Sequence, residues 1–142
     1  MAERTIFTII AHRGASSLAP ENTIAAFDKA LELGFRHMEL DAQLSADGVV
    51  VVFHDFNLDR TTNGRGPLAA RTFDDLRSLD AGSWFSPQFA GERIPALEEV
   101  LTRYQGRAHL HVELKAVHTD LPRAVASLLQ KHGWASPGHS QG

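Results

Sequence analysis

The run Phe35-Arg36-His37-Met38-Glu39-Leu40-Asp41 alternates polar and apolar residues over its last five positions. Period-two alternation predicts a strand, with His37, Glu39 and Asp41 on one face and Met38 and Leu40 on the other. Carboxylates two positions apart on a strand lie roughly 6.5–7 Å apart along it. Both can then reach one hard cation, which takes oxygen ligands. The competing reading is an edge strand with two exposed acids, since acidic residues mostly face solvent. The flanking sequence decides between the two.

Upstream, Ile6-Phe7-Thr8-Ile9-Ile10-Ala11 is a nearly continuous β-branched and aromatic run, the pattern of a strand buried in a parallel sheet. It ends at His12-Arg13-Gly14. Ser16 to Asn22 reads as loop with Pro20 as a breaker, and Asn22 as the N-cap of a helix. Ile24, Phe27 and Leu31 follow at helical spacing and Gly34 stops the helix. Downstream, Asp47-Gly48 marks a turn and Val49-Val50-Val51-Val52-Phe53 a second buried strand, ending at His54-Asp55. A hairpin is one way to join these strands. We expect them to run parallel instead, because Asp41 and His54 would then end their strands on one side of the sheet. Ala42 to Gly48 is too short for a crossover helix. Fully extended, it reaches roughly 23 Å, enough to run back along the outside.

Phe56 to Gly66 reads as loop, and Thr72 as the cap of a short helix through Leu79 with Asp74 and Asp75 in its first turn. Ala81 to Arg93 is irregular, with Trp84, Phe85 and Phe89 packing a long loop. Ile94-Pro95 opens a helix with the apolar stripe Leu97, Val100, Leu101 and Tyr104. In the strand Ala108 to Leu114, Leu110, Val112 and Leu114 share one face; His109, His111, Glu113 and then Lys115 share the other. Asp120 to His132 is the last helix. Residues 1–132 form one domain, and 133–142, rich in Ser, Gly, Pro and His, a disordered tail.

Composition narrows the function classes. Hydrophobic residues make up 43% and charged residues 22% of the 142, the balance of a globular chain with a sizeable core. A net charge of -3 without long charge runs points away from nucleic acid and membrane surfaces. There is no cysteine, which excludes disulfides, thiolate metal sites and a cysteine nucleophile and fits a cytoplasmic setting. No stretch is long enough to span a bilayer, and Met1 to Ala11 lacks the features of a signal peptide.

Four predicted strands thus end in His12-Arg13, Glu39-Leu40-Asp41, His54-Asp55 and Glu113-Leu114-Lys115. Barrel and open α/β enzymes place their chemistry at the carboxyl ends of parallel strands. Three carboxylates suit Ca²⁺ or Mg²⁺ rather than zinc. Two histidines can serve as acid and base near neutral pH, and Arg13 and Lys115 can hold a phosphate. Each member also has a bland reading. Glu113 and Lys115 could be an exposed ion pair worth under about 1 kcal/mol, and Asp55 a turn cap. His37, His109, His111 and His118 are left unassigned, with a structural role favoured, and Asp59 and Arg60 without a role.

In this order and spacing, His12-Arg13-Gly14, Pro20-Glu21-Asn22-Thr23 with Ala26-Phe27, Glu39-Leu40-Asp41, His54-Asp55, Leu58-Asp59-Arg60-Thr61-Thr62, Ile94-Pro95-Ala96-Leu97-Glu98-Glu99 and Glu113-Leu114-Lys115 resemble the glycerophosphodiester phosphodiesterase family, in its bacterial cytosolic form. The resemblance covers nearly everything from Ile9 to Lys115. It implies an irregular TIM-type α/β barrel that hydrolyses glycerophosphodiesters to an alcohol and sn-glycerol 3-phosphate with a divalent cation. On the matching positions, it implies Glu39, Asp41 and Glu113 as metal ligands. His12 and His54 become the acid/base pair, with His12 preferred as base and His54 as acid. Arg13 and Lys115 become the phosphate-binding residues.

A complete barrel of this type needs about 250 residues, so an incomplete barrel is expected, made of the first four strands and their helices. A homodimer could complete it. The alternative function is an inactive remnant that binds only metal or phosphate. A relative of the cyclising sphingomyelinase D type is disfavoured by the absence of cysteine.

Overall fold

The computed structural model describes residues 7–116 and 119–134. Ile6, His118 and residues 135–142, part of the expected tail, lie outside these. The elements run β1 (Ile10–His12), α1 (Ile24–Glu32), β2 (His37–Leu44), β3 (Val50–Val52), α2 (Phe73–Arg77), α3 (Leu97–Tyr104), β4 (His109–Leu114) and α4 (Leu121–Lys131). Short 3₁₀ turns at Leu68–Ala70 and Pro87–Phe89 interrupt the long loops.

Strand β2 is the centre of the sheet. It pairs in parallel with β1 on one side, Ala11 opposite Met38, and with β4 on the other, Leu40 opposite Val112. The outer face, Ala11, Met38, Leu40, Leu110 and Val112, is buried beneath α1, α3 and α4, which contribute Phe27, Leu97, Leu101, Tyr104, Leu121 and Val125. This is a segment of an α/β barrel wall, with the carboxyl ends of three parallel strands at one edge. Trp134, at the start of the expected tail, packs against this core and donates from its indole nitrogen to the Leu101 carbonyl at 3.1 Å.

Three expectations are corrected. First, β3 is antiparallel to β2, with Ala42 opposite Val52 and Leu44 opposite Val50. The period-two alternation continues through Ala42-Gln43-Leu44, so β2 overshoots the wall beyond Asp41. The chain turns at Gly48, where φ is +82°, and folds back along this overshoot. Asp41 and His54 still reach the same edge, because β3 returns towards it; the Phe53 amide donates to the Asp41 carbonyl at 2.9 Å. The continuous apolar run also has another cause. Val50 and Val52 face the main core, while Val51 and Phe53 face a second cluster with Leu58, Leu68, Leu76 and Ile94. A strand buried on both faces need not be parallel.

Second, β1 begins at Ile10, and Phe7 and Ile9 are exposed. Among the described residues β1 pairs with β2 alone. Third, Thr23, not Asn22, caps α1, its Oγ1 accepting from the Ala26 amide. The α2 cap by Thr72 and the apolar stripe of α3 lie where the sequence puts them.

Candidate active site

Period two places His12, Glu39, Asp41, His111 and Glu113 on the wall face opposite the helices. Glu39, Asp41 and Glu113 each bring one oxygen into a group whose members all lie within 4.8 Å of one another. Asp41 is fully buried, Glu39 half-buried and Glu113 exposed. Burial and the Asp41 charge push the Glu39 carboxyl up to about 7, with Glu113 adding to the rise. Three acids held this close without a counter-charge are costly, and a divalent cation removes the cost.

Cations from two loops partly compensate. Arg13 adopts a left-handed backbone, φ +56°, which turns its amide onto Glu39 Oε1 at 3.2 Å. Its guanidinium lies 3.5 Å from Asp41 Oδ2 and 3.2 Å from Glu21 Oε2. Lys115 Nζ lies 3.6 Å from Asp41 Oδ1 and 3.7 Å from Glu113 Oε1. His12 stands beside the group, its Nε2 3.8 Å from Glu39 Oε1 and its side chain 64% exposed.

His54 joins the group indirectly. The Arg60 guanidinium donates to both oxygens of Asp55 at 2.9 Å and both oxygens of Glu21 at 3.0 Å, and Glu21 in turn holds Arg13. Arg60 keeps the Asp55 carboxyl down at about 2. Asp55 is therefore an acceptor, so His54 Nδ1 must carry the proton it donates to Asp55 Oδ1 at 2.7 Å. That leaves Nε2 as the ring nitrogen not engaged by Asp55. Gln43 fixes the segment from below, donating to the carbonyls of Phe53 and Asp55 at 2.8 and 2.7 Å.

Reading the sequence alone missed Glu21, Asn22, Gln43 and Arg60. Asn22, at φ +57°, donates to Asp41 Oδ2 at 3.0 Å instead of capping α1. The signal for three of them was membership of the Pro20–Thr23 and Leu58–Thr62 motifs; Gln43 was signalled by the continued alternation of β2. The buried side-chain atoms without a hydrogen-bond partner include Arg13 Nε, Asn22 Oδ1 and Asp41 Oδ1. Arg13 Nε and Asp41 Oδ1 keep only long ion-pair contacts, at 3.5 and 3.6 Å, and the three atoms gather around the Asp41 carboxylate. Two acceptors and one donor are what a cation with an anion beside it would satisfy.

The fold and site define a class first: an α/β barrel-wall protein with a carboxylate cluster, flanking cations and two imidazoles at the carboxyl edge. The model of the Glycerophosphoryl diester phosphodiesterase family matches residues 12–130, and the chain belongs to that family. It is 41% identical over 133 residues to a glycerophosphodiester phosphodiesterase of Bacillus subtilis, covering 87% of this chain and 45% of that protein. It is 50% identical over 109 residues to one of Caldanaerobacter subterraneus, covering 76% and 45%. The chain spans about half the length of the curated relatives it matches. Among solved structures, the glycerophosphodiester phosphodiesterase of Agrobacterium tumefaciens superposes with a TM-score of 0.86 at 46% identity, covering 91% of this chain and 55% of that one. An Oleispira antarctica phosphodiesterase in complex with the product sn-glycerol-3-phosphate gives 0.81 at 39% identity, covering 90% and 53%.

Proposed function

We propose that the protein hydrolyses glycerophosphodiesters to an alcohol and sn-glycerol 3-phosphate, with Mg²⁺ or Ca²⁺ held by Glu39, Asp41 and Glu113. The observation that carries this reading is the gathering of Asp41 Oδ1, Asn22 Oδ1 and Arg13 Nε, buried and without a hydrogen-bond partner, against the carboxylate cluster. The donor set is oxygen-only, as a hard cation requires. When bound, the cation supplies positive charge that polarises a phosphoryl oxygen. The product in the Oleispira complex supports the substrate class.

Arg13 and Lys115 orient the phosphate and balance its growing charge. His12, beside Glu39, takes the proton of the attacking hydroxyl, either from water or from the glycerol itself; in the second case the alcohol leaves a cyclic phosphate that water then opens to sn-glycerol 3-phosphate. His54, held through Nδ1 by Asp55, gives a proton from Nε2 to the leaving alcohol. Salvage of glycerol phosphate in the cytoplasm is the setting that fits this chemistry.

A second reading, binding without turnover, draws on the openness of the site: Glu113 is 59% exposed at its side chain, and water weakens each electrostatic contact there. Release of glycerol 3-phosphate from glycerophosphocholine, with and without EDTA, separates the two. The enzyme reading expects release that stops in EDTA and returns with Mg²⁺ or Ca²⁺; turnover unchanged in EDTA overturns the metal role.

A further inference from the structure

Nearer the amino ends of the strands, on the same face as the carboxylates, three imidazoles meet. His37 opens β2 and is the direct register partner of His109, which opens β4. His111, two positions on from His109, shares its face. His37 Nδ1 lies 3.0 Å from His111 Nε2, and the His37 ring stacks on His109 with centroids 4.6 Å apart. His37 and His111 are half-buried and His109 is exposed. The proposed phosphodiester chemistry uses none of them.

We propose that His37 and His111 chelate a transition-metal ion of the zinc class, with His109 as third ligand, at a site distinct from the carboxylate cluster. Two nitrogens bound tetrahedrally at 2.0–2.1 Å stand roughly 3.3 Å apart, and the two here are already near that spacing. A His-x-His pair on one strand facing a histidine on the next presents three nitrogens on one face. Three imidazoles are a known zinc ligand set, one that leaves a fourth position open. In this structure the His109 ring stacks on His37 with the planes 16° apart, so it becomes the third ligand only by turning out of that stack.

Donor type separates the two sites. Imidazole suits Zn²⁺, Co²⁺ and Ni²⁺, whereas carboxylates suit Mg²⁺ and Ca²⁺. An ion at the imidazoles clamps β2 to β4 across the wall without competing for the hard cation. The competing arrangement is a single N–H···N hydrogen bond between two neutral rings, with no affinity for metal.

The test is a titration of the full chain with Co²⁺ in a large excess of Mg²⁺, read by visible absorption. We expect one Co²⁺ per chain that Mg²⁺ does not displace. His37→Gln and His111→Asn, checked for folding by circular dichroism, should each weaken it at least tenfold. Glu39→Gln should leave the Co²⁺ affinity within twofold. If His37→Gln does not fold, His109→Gln at the exposed position carries the same expectation of weaker binding. Absence of the cobalt spectrum, or affinity unchanged in the histidine variants, would establish the plain hydrogen bond instead. Loss of cobalt in Glu39→Gln would place the ion among the carboxylates; either result overturns the proposal.

Discussion

Glu39 holds its proton well above the ordinary carboxyl range because burial, and then the charge of Asp41, penalise its anion. Its carboxyl ordinarily titrates near 4.5 and here near 7, so between those values the folded chain binds more protons than the unfolded one. Stability of metal-free protein therefore falls as pH rises through that window. Glu39→Gln removes the titration, so its unfolding temperature should gain on that of the parent from pH 4.5 to 7.5. Added Mg²⁺ should close the gap. A gap that stays constant with pH would show that Glu39 ionises normally. Asp55 is the opposite case. Its carboxyl is held down by Arg60, so the stability it adds is present above about pH 4 and lost as pH falls towards 2. Because that anion orients His54, the His54→Ala variant tests the acid role. It should lose roughly 10²–10⁴-fold on a substrate with an alkyl alcohol leaving group, and much less on p-nitrophenyl esters, which need no protonation. Equal losses on both would argue against the assignment, and the reverse pattern would exchange the roles of His12 and His54. Of these residues, Glu39, Asp41, Asp55 and both histidines were placed from the sequence at predicted strand ends. The hydrogen-bond partners Glu21 and Arg60 were not, because they sit in loops where no periodicity marks a face.

The loop after β1 docks on α1. The Ala15 amide donates to the Ala26 carbonyl at 2.9 Å, and Gly14 sits at φ +80°, where an added Cβ would meet the Ala26 carbonyl carbon at 2.7 Å. Gly14→Ala thus combines backbone strain with a clash against main chain. It should cost more than about 1 kcal/mol and displace Arg13 from Glu39 and Asp41, so both the urea midpoint and the activity should fall. An unchanged midpoint would show that the loop shifts freely. Elements of this kind were readable where a period was long enough: α3 and β4 follow from their stripes. The direction of β3 was not readable, since burial on both faces gives the same apolar run whether helices or a second core cover it. The premise that Asp41 and His54 reach one edge was sound, but a strand that returns from an overshoot meets it as well as a parallel one does.

Across the whole molecule, the wall face carrying the site is open. Ile10 is 43% exposed, and among the described residues β1 and β4 each pair with β2 alone. Free strand edges invite pairing with another chain. The chain by itself should therefore either self-associate through this face or unfold at low temperature and aggregate, with little turnover. Sedimentation velocity over a concentration series, with thermal unfolding alongside, checks this. A stable monomer with high, concentration-independent activity would show that the open wall suffices. Val50 and Val52 are buried in the main core, which reduces the apolar area left uncovered. Motif order announced a barrel of this family; how the hairpin fills in behind the wall is a matter of packing between distant segments, which no local pattern encodes.

The second cluster begins and ends at nearly the same point. Val51 bridges to Ala96, and the Val52 amide donates to the Pro95 carbonyl at 2.9 Å. The segment between is an excursion with its two feet pinned together, tied back to the wall through Arg60 on Glu21 and Gln43 on Phe53 and Asp55; away from those ties, closing a longer loop costs only about 0.6 kcal/mol per doubling. His54 rides on this excursion, while Glu39, Asp41, Glu113, Arg13 and Lys115 belong to the wall and its edge. On the proposed chemistry, the part that meets the leaving alcohol lies on the excursion and the part that holds the phosphate lies on the wall. Divergence among descendants of such a chain would change which alcohols are released long before it changed what is done to the phosphorus.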